Sequence, residues 1–441
     1  PPDRHMSELN AVPTAVTDLE IGMFVTALDR PWIETPFLVE GFYVSSQADI
    51  DEVEKYCKFV YVDVYRSRLG SGRRNSRVVG TAGQKGAAMT LAQEPALESV
   101  KFRQRSATAI AELFPHRKLR PYEDTTAFAD ELATARRVYA GVLGAYRQMM
   151  RAYQAGGRLD TSGLREVLNP MVDSVIRNPD ACVWLACSKD EQSYTWGHSA
   201  GASVWAVALG RQLGLPRLDL PRLAVGALLL DVGKLKVPED LLLKRERLTP
   251  GEFQLIKSHV EFGLEMLEGT GLLSRSVTDM LEFHHERHGG HGYPHGVSGD
   301  DIPVYGRIAA IVDCYDAITS RRPYAPAISP GNAVKKLYAW RDIDFDADLV
   351  EEFIQAIGIY PAGTLVELSN GQVGVATAGY RTRRLRPQLL LVLDRDKKPY
   401  AQPRPLDLLA VTHDEDGKPL EIATSLEPGS FGVNPDTFTL L

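Results

Sequence analysis

Helical periodicity runs through the middle of the chain and leaves few folds open to it. From Asp124 to about residue 358, apolar residues recur three or four positions apart, most regularly from Leu164 to Ile176. Asp124 is predicted to cap the first helix, and the Gly156-Gly157 pair is predicted to end it. The pattern therefore predicts a bundle of amphipathic helices.

The pattern differs on either side of this stretch. Before it, strand-like runs flank a short amphipathic segment from Asp49 to Cys57, and a Gly-, Ser-, Arg- and Ala-rich run follows. After Pro361 the period becomes two, and Asn370-Gly371 lies between two strand-like runs, as in a β-hairpin. We predict a mainly α fold in four parts: a small N-terminal α+β domain at 14–66, a flexible linker at 67–123, a helical domain at 124–360 and a β-rich C-terminal extension at 361–441.

Composition excludes several classes of protein. A hydrophobic content of 44% and a charged content of 24% are typical of a globular protein, and a net charge of −7 argues against general nucleic-acid binding. The longest apolar runs have about eight residues, too few to span a bilayer. The four cysteines form no CxxC pair, which favours a reducing, cytoplasmic location.

The histidines are concentrated in one part of the helical stretch. Seven of the ten lie between His198 and His295, with Asp231 inside this span and Asp313 just after it. Taken singly, His198 and His259 are more readily explained as buried core residues, because each lies beside an apolar stripe. A carboxylate such as Asp313 within an apolar run is costly to bury without a partner. Taken together, these side chains on successive helices predict a site for a divalent transition metal.

The order of these residues is that of a known family. The matching segments, spread over about residues 170–360, are His198-Ser199, Asp231-Val232-Gly233-Lys234, Ile256-Lys257-Ser258-His259, His284-His285-Glu286, Gly290-His291-Gly292-Tyr293-Pro294, Asp313-Cys314-Tyr315-Asp316-Ala317 and Arg321-Arg322-Pro323-Tyr324. In this order they resemble the HD-GYP family, a branch of the HD phosphohydrolase superfamily. The N-terminal runs resemble the domain of unknown function that often precedes HD-GYP domains, and residues 361–441 resemble their usual extension.

The resemblance implies an HD-type helical bundle with a centre of two or three divalent ions, iron or manganese being expected. It implies hydrolysis of cyclic di-GMP to pGpG and GMP. Lys234 would offset charge that develops on the phosphate. Asp231 would bridge two ions, within the implied ligand set of His198, Asp231, His259, His284, His285 and Asp313. The implied nucleotide-binding residues are Gly292, Tyr293, Pro294 and Arg322.

Four positions depart from the family pattern. Leu230 replaces the histidine of the HD pair, and its side chain has no lone pair for a metal. Gly289 stands where the loop usually has Asp, Ala325 where a basic residue usually follows RPY, and Tyr194 where three-metal members have an acid. We therefore expect one or two ions. Loss of a supporting contact costs roughly 10–100-fold in metal affinity or activity, and loss of a ligand should cost at least that.

Two hypotheses remain open from the sequence. The chain is either an impaired cyclic di-GMP phosphodiesterase or a catalytically inactive cyclic di-GMP receptor or adaptor. His288 and His291 are extra relative to the usual loop and could replace the lost ligand, although surface positions are favoured. Candidate partners are a diguanylate cyclase or another signalling protein at the GYP loop, and a second copy of the chain in a homodimer. No nucleic acid and no membrane span are expected.

Overall fold

The computed structural model describes part of the chain, and this part falls into two compact units, residues 1–107 and 108–441. The predicted ligand-binding residue Arg322, Ala325 and most of the predicted linker lie outside the described residues. The domain boundaries predicted from sequence stay a prediction. The described residues are 11–28, 42–44, 47–63, 110–187, 194–244, 248–320, 327–378 and 385–434.

The N-terminal unit contains a four-stranded antiparallel sheet and one helix. Its elements are β1 (Ala11–Ala15), β2 (Phe24–Leu28), β3 (Phe42–Tyr43), α1 (Gln47–Tyr56) and β4 (Phe59–Asp63). The strand order is β1-β4-β2-β3, and buried valines such as Val25, Val53 and Val60 form the core. The sequence pattern does not predict β1, because Pro13 interrupts it. Proline is tolerated there because β1 is an edge strand.

The second unit is built mainly of helices, which confirms the predicted mainly α fold. They are α2 (Phe128–Gln154), α3 (Leu164–Arg177), α4 (Pro179–Cys187), α5 (Tyr194–Gln212), α6 (Leu220–Leu229), α7 (Glu239–Leu242), α8 (Pro250–Lys257), α9 (His259–Leu267), α10 (Arg275–Phe283), α11 (Val304–Thr319), α12 (Pro330–Ala339) and α13 (Ala347–Ile357). None of the described helices is both long enough and apolar enough to cross a membrane.

Two predicted boundaries of α2 have different outcomes. The helix ends before Gly156, whose φ of +88° suits glycine, as predicted. The prediction that Asp124 caps the helix is wrong, because the helix begins at Phe128 after an Ala127 N-cap. Asp124 instead accepts a hydrogen bond of 2.6 Å from Arg211. Its partner is distant in sequence, so local pattern could not reveal it.

Helix α6 lies in the middle of the helical unit and packs against α5, α10 and α11. From Leu223 onward it is buried on all sides, with Leu223, Leu228 and Leu229 fully inaccessible, which explains its continuous apolar run. Trp205 of α5 and Tyr315 of α11 meet edge to face, with ring centroids 5.1 Å apart. This contact joins α5, which carries His198, to α11, which carries Asp313.

A five-stranded antiparallel sheet follows the helices and confirms the predicted C-terminal β extension. Its strands are β5 (Leu365–Leu368), β6 (Val373–Ala378), β7 (Gln388–Leu393), β8 (Pro399–Asp407) and β9 (Ile422–Ser425). Their order is β8-β7-β6-β5-β9. The predicted hairpin joins β5 and β6, and Gly371 in its turn has a φ of +85°.

Candidate metal centre

The apolar run of α6 ends at Asp231, and the chain there turns sharply toward α9. Gly233 lies in the short 3-10 segment after Asp231, and a β-carbon on it would overlap the carbonyl oxygen of His259. Only glycine allows this approach of the two backbones. The Asp-Val-Gly-Lys sequence thus brings a carboxylate from the buried helix to the first residue of α9.

Asp231 is shared by two groups of candidate metal ligands. One donor atom from each of Asp231, His259, His284 and His285 lies within 4.8 Å of the others, and the same holds for His198, Asp231 and Asp313. Oδ1 of Asp231 lies 3.5 Å from Nε2 of His259 and 4.0 Å from Nε2 of His284. Oδ2 lies 3.6 Å from Nε2 of His198. The six predicted ligands therefore converge, with Asp231 between the two groups.

Two histidines of the first group are oriented by backbone carbonyls. Nδ1 of His259 lies 2.7 Å from the Ile256 oxygen, and Nδ1 of His284 lies 2.8 Å from the Leu281 oxygen. A carbonyl oxygen only accepts, so each Nδ1 carries the proton and each Nε2 keeps its lone pair. The two Nε2 atoms face each other at 3.3 Å, where two lone pairs repel unless a cation lies nearby. Metal-binding histidines are commonly held by such a contact of the other ring nitrogen.

Burial keeps the three histidines of this group neutral. It lowers the pKa of His259 to about 4, and it lowers the pKa of His284 and of His285 as well. His259 and His284 are fully inaccessible to solvent. Neutral imidazole is the form that ligates a metal, so this group is ready to bind at neutral pH.

The second group centres on His198, which lies between two carboxylates. Its Nδ1 is 2.6 Å from Oδ2 of Asp316, and its Nε2 is 3.1 Å from Oδ1 of Asp313. Burial opposes protonation, but the hydrogen bonds to both acids outweigh it and raise the pKa of His198 to about 9. The carboxylates make the space around Nε2 favourable for positive charge. Asp316 also accepts a 2.7 Å hydrogen bond from Trp205, so its position is fixed.

The donor set fits a divalent ion. Oδ1 of Asp231 is buried and has no hydrogen-bond partner among the described residues, which is costly unless a cation lies near it. Burial disfavours the charged form of Asp231, yet the positive charge of Lys234 holds its pKa well below the usual range. An ionised, unsatisfied carboxylate among neutral imidazoles is the chemistry of an iron, manganese or zinc site.

Lys234 lies beside this carboxylate. Its ammonium donates a hydrogen bond of 2.6 Å to Oδ2 of Asp231, and its side chain remains 36% exposed. The charge is therefore close to the centre and still reaches solvent. The role predicted for it toward a phosphate stays a prediction.

The loop after the His-His pair is held by a buried glutamate. Oε1 of Glu286 accepts hydrogen bonds from the backbone N–H of His295, at 2.6 Å, and of Gly296, at 3.0 Å. A β-carbon on Gly292 would lie 2.5 Å from backbone atoms of residues 285–287, so the loop needs glycine there. The Tyr293 ring stacks on His285 with centroids 4.5 Å apart, and the Tyr293-Pro294 bond is cis. The predicted nucleotide-binding residues Gly292, Tyr293 and Pro294 thus border the ligand groups.

Comparison with known proteins is consistent with this arrangement. Residues 181–349 match the HD domain family, and residues 12–163 match a domain of unknown function, DUF3391. A cyclic di-GMP phosphodiesterase of Pseudomonas aeruginosa is 32% identical over 390 residues, which cover 88% of this chain and 86% of that protein. This chain belongs to the HD-GYP family.

Two other relatives match this HD-GYP chain over shorter stretches. A cyclic di-GMP phosphodiesterase response regulator of Xanthomonas campestris is 36% identical over 148 residues, 33% of this chain and 39% of that protein. A 3′3′-cGAMP-specific phosphodiesterase of Vibrio cholerae is 30% identical over 192 residues, 43% of this chain and 37% of that protein. HD domains bind divalent metals, in agreement with the ligand groups described above.

In this HD-GYP chain the loop histidines lie apart from both ligand groups. His291 pairs with Asp344 at 2.8 Å and is 55% exposed, and the backbone N–H of His288 donates to the Asp344 carbonyl. Neither residue belongs to either group formed by the described residues. Leu230 is buried, with 3% of its surface exposed.

The sequence reasoning missed two supporting residues of the HD-GYP site. Asp316 and Glu286 both lie in segments that match the family, yet the sequence pattern assigns neither of them a role at the site. The spacing from Asp313 to Asp316, one helical turn, places both acids on one face of α11 and could have indicated the first. Nothing in the local pattern indicates that Glu286 accepts hydrogen bonds from a loop nine and ten residues later.

Proposed function

We propose that this chain is a metal-dependent cyclic di-GMP phosphodiesterase. The observation that carries the proposal is the ionised carboxylate of Asp231, which lies between two groups of ligands and whose Oδ1 lacks a hydrogen-bond partner in the described part of the chain. The long match to a protein of that activity supports the choice of substrate. A divalent ion held in these groups would supply positive charge for the phosphate oxygens and lower the pKa of water.

The chain's own residues supply positioning and charge. We propose that Lys234, near Asp231 and partly exposed, interacts with a phosphate oxygen as charge develops there. Tyr293, next to His285 and partly exposed, lies where a nucleotide at the centre would contact it. The role of Arg322 toward a phosphate rests on the family resemblance alone.

We propose that the two ligand groups differ in strength. The group with His259, His284 and His285 has four candidate donors including Asp231, whereas the group with His198 has three. Leu230 precedes the shared carboxylate and offers no donor. A complete first group and an incomplete second group support one firmly bound ion and one weakly bound ion, and hence slow turnover.

Leu230 also favours a second candidate function, a catalytically inactive cyclic di-GMP receptor or adaptor. In this function the first group holds one structural ion, and the GYP loop presents the nucleotide or a partner. A diguanylate cyclase or other signalling protein at this loop, a homodimer, and iron or manganese as the ion are proposed on the family resemblance. The cytoplasmic location is proposed on cysteine usage alone.

The test is a turnover assay with purified protein, manganese or ferrous iron, and cyclic di-GMP. Release of pGpG or GMP, abolished by chelation and by D231N, supports the enzyme. Tight binding of cyclic di-GMP without product selects the receptor. If the protein neither binds cyclic di-GMP nor releases product, both functions are contradicted.

A further inference from the structure

Three side chains form an aromatic and cationic surface next to the metal centre. Phe253 and Tyr293 meet edge to face with ring centroids 6.2 Å apart. The ammonium of Lys257 lies 4.7 Å from the Phe253 centroid and 4.9 Å from the Tyr293 centroid. Tyr293 stacks in turn on His285, a candidate ligand. The contacts therefore run without a break from the ligand group to Phe253.

This surface is open to solvent and carries a positive charge. Phe253 is 44% exposed, which is high for a large aromatic side chain. Within the described part of the chain, no carboxylate lies within ion-pairing distance of Lys257, whereas Lys234 and Lys236 both have acidic partners. An exposed ring and an unpaired ammonium beside a metal centre are suited to an electron-rich aromatic ligand.

We infer that Phe253, Lys257 and Tyr293 recognise a guanine base of the bound cyclic dinucleotide and select it against adenine. This inference rests on the proposed function, which places a phosphate of the same ligand at the metal ions. A base is joined to its phosphate by a single sugar, so it must lie close beside the centre. Phe253, which is 44% exposed, offers its ring for stacking.

Lys257 supplies the discrimination. The ammonium only donates hydrogen bonds. Guanine presents two acceptors, O6 and N7, on one edge, whereas adenine presents N7 beside an amino donor. When a base stacks on Phe253, it takes the place of the ammonium on that ring, and the flexible lysine stem lets the ammonium move to the base edge. Guanine O6 and N7 can then accept hydrogen bonds from the ammonium, whereas the adenine amino group is itself a donor and cannot.

The experiment measures binding of hydrolysis-resistant phosphorothioate analogues of cyclic di-GMP and cyclic di-AMP to the manganese-loaded full chain by calorimetry. Replacing Lys257 by Met should weaken guanine binding about tenfold and leave adenine binding nearly unchanged, so that the preference falls. Replacing Phe253 by Ala should weaken both analogues about tenfold, because stacking does not depend on the base.

Two matched variants control for general effects. K236M removes a lysine that lies over Phe262 but is paired with Glu265, and L255A removes an exposed apolar side chain from the same helix. Both variants should bind each analogue with an affinity within about twofold of wild type, because substitutions at exposed positions usually have small effects. Circular dichroism checks that every variant is folded.

The outcomes separate this inference from the proposed function. Wild-type protein that binds neither analogue overturns both. Wild-type protein that binds the cyclic di-GMP analogue, together with an unchanged guanine preference in folded K257M, overturns the base-recognition inference alone. An equal loss of both analogues in K257M also overturns it, because it indicates that Lys257 contacts a phosphate.

Discussion

Leu230 directly precedes the carboxylate that both ligand groups share, and it is buried. A histidine at this position adds an imidazole nitrogen next to the group that has only three candidate donors. We expect L230H to raise the bound manganese from about one to about two ions per chain, since three to four protein ligands make a stable site. Elemental analysis after dialysis measures the count.

A second histidine substitution controls for added imidazole alone. Leu218 is 79% exposed, so L218H places the same side chain on the surface. It should leave the ion count at the wild-type value. An unchanged count in L230H, or an equal rise in L218H, contradicts the view that Leu230 leaves the second group incomplete.

Asp316 acts through His198 rather than on the substrate. Its Oδ2 accepts a hydrogen bond from Nδ1 of His198, which orients the imidazole ring with Nε2 toward Asp313 and Asp231. We expect D316N to weaken binding of the more weakly held ion about 10–100-fold, because asparagine keeps the volume but loses the charged acceptor. Competition with a chelator measures the affinity.

D344N is the control, because it removes the carboxylate that pairs with the exposed His291. It should leave the affinity for this ion unchanged. If D344N weakens binding of the ion as much as D316N does, the positioning role of Asp316 is contradicted.

At the scale of elements, α2 and α3 are joined by a buried charged contact. Glu131, with 3% of its side chain exposed, accepts hydrogen bonds from Ser174 and from Arg177 at 2.6–2.8 Å. Burial acts to raise the pKa of Glu131, but the hydrogen bonds from Arg177 and Ser174 outweigh it and lower the pKa below 4.5. The ionised form therefore stabilises the folded state.

The sign of the pH dependence follows from this lowered pKa. The stabilisation is fully present above the unfolded pKa of about 4.5 and is lost as pH falls through the folded value. We expect E131Q to lower the free energy of unfolding by about 1–3 kcal/mol at pH 7, with a smaller difference below pH 4.5. Denaturant unfolding at several pH values measures it, and E166Q on the exposed face of α3 is the control. A difference that does not change with pH contradicts the assignment.

The sequence pattern predicts helices, strands and turns well where the signal lies within the element itself. The stripe in α3, the end of α2 at Gly156 and the Asn370-Gly371 hairpin are all local features, and all three are confirmed. The edge strand β1 and the true partner of Asp124 depend on contacts distant in sequence, so no local pattern could give them.

The same division holds for the candidate site. The six predicted ligands come together because α5, α10 and α11 pack against α6, and α9 packs against the 3-10 segment that follows α6. Residue order within a family carries that information. The supporting contacts of Asp316 and Glu286, and the exposure of Phe253 next to Tyr293, depend on side-chain placement. These features required coordinates.

For the whole molecule, all candidate ligands belong to one of the two compact units. An ion that binds only the folded form stabilises it by about 2.7 kcal/mol at 100 times the dissociation constant, or about 100-fold in the opening equilibrium. Hydrogen exchange followed by mass spectrometry should therefore show that manganese slows the amides of α9 and α10 up to about this factor, without slowing those of β4. The D231A variant, which lacks the shared carboxylate, should lose the effect. Equal slowing in β4 would contradict a stabilisation confined to the unit that holds the ligands, and unchanged exchange in α9 and α10 would contradict the metal centre itself.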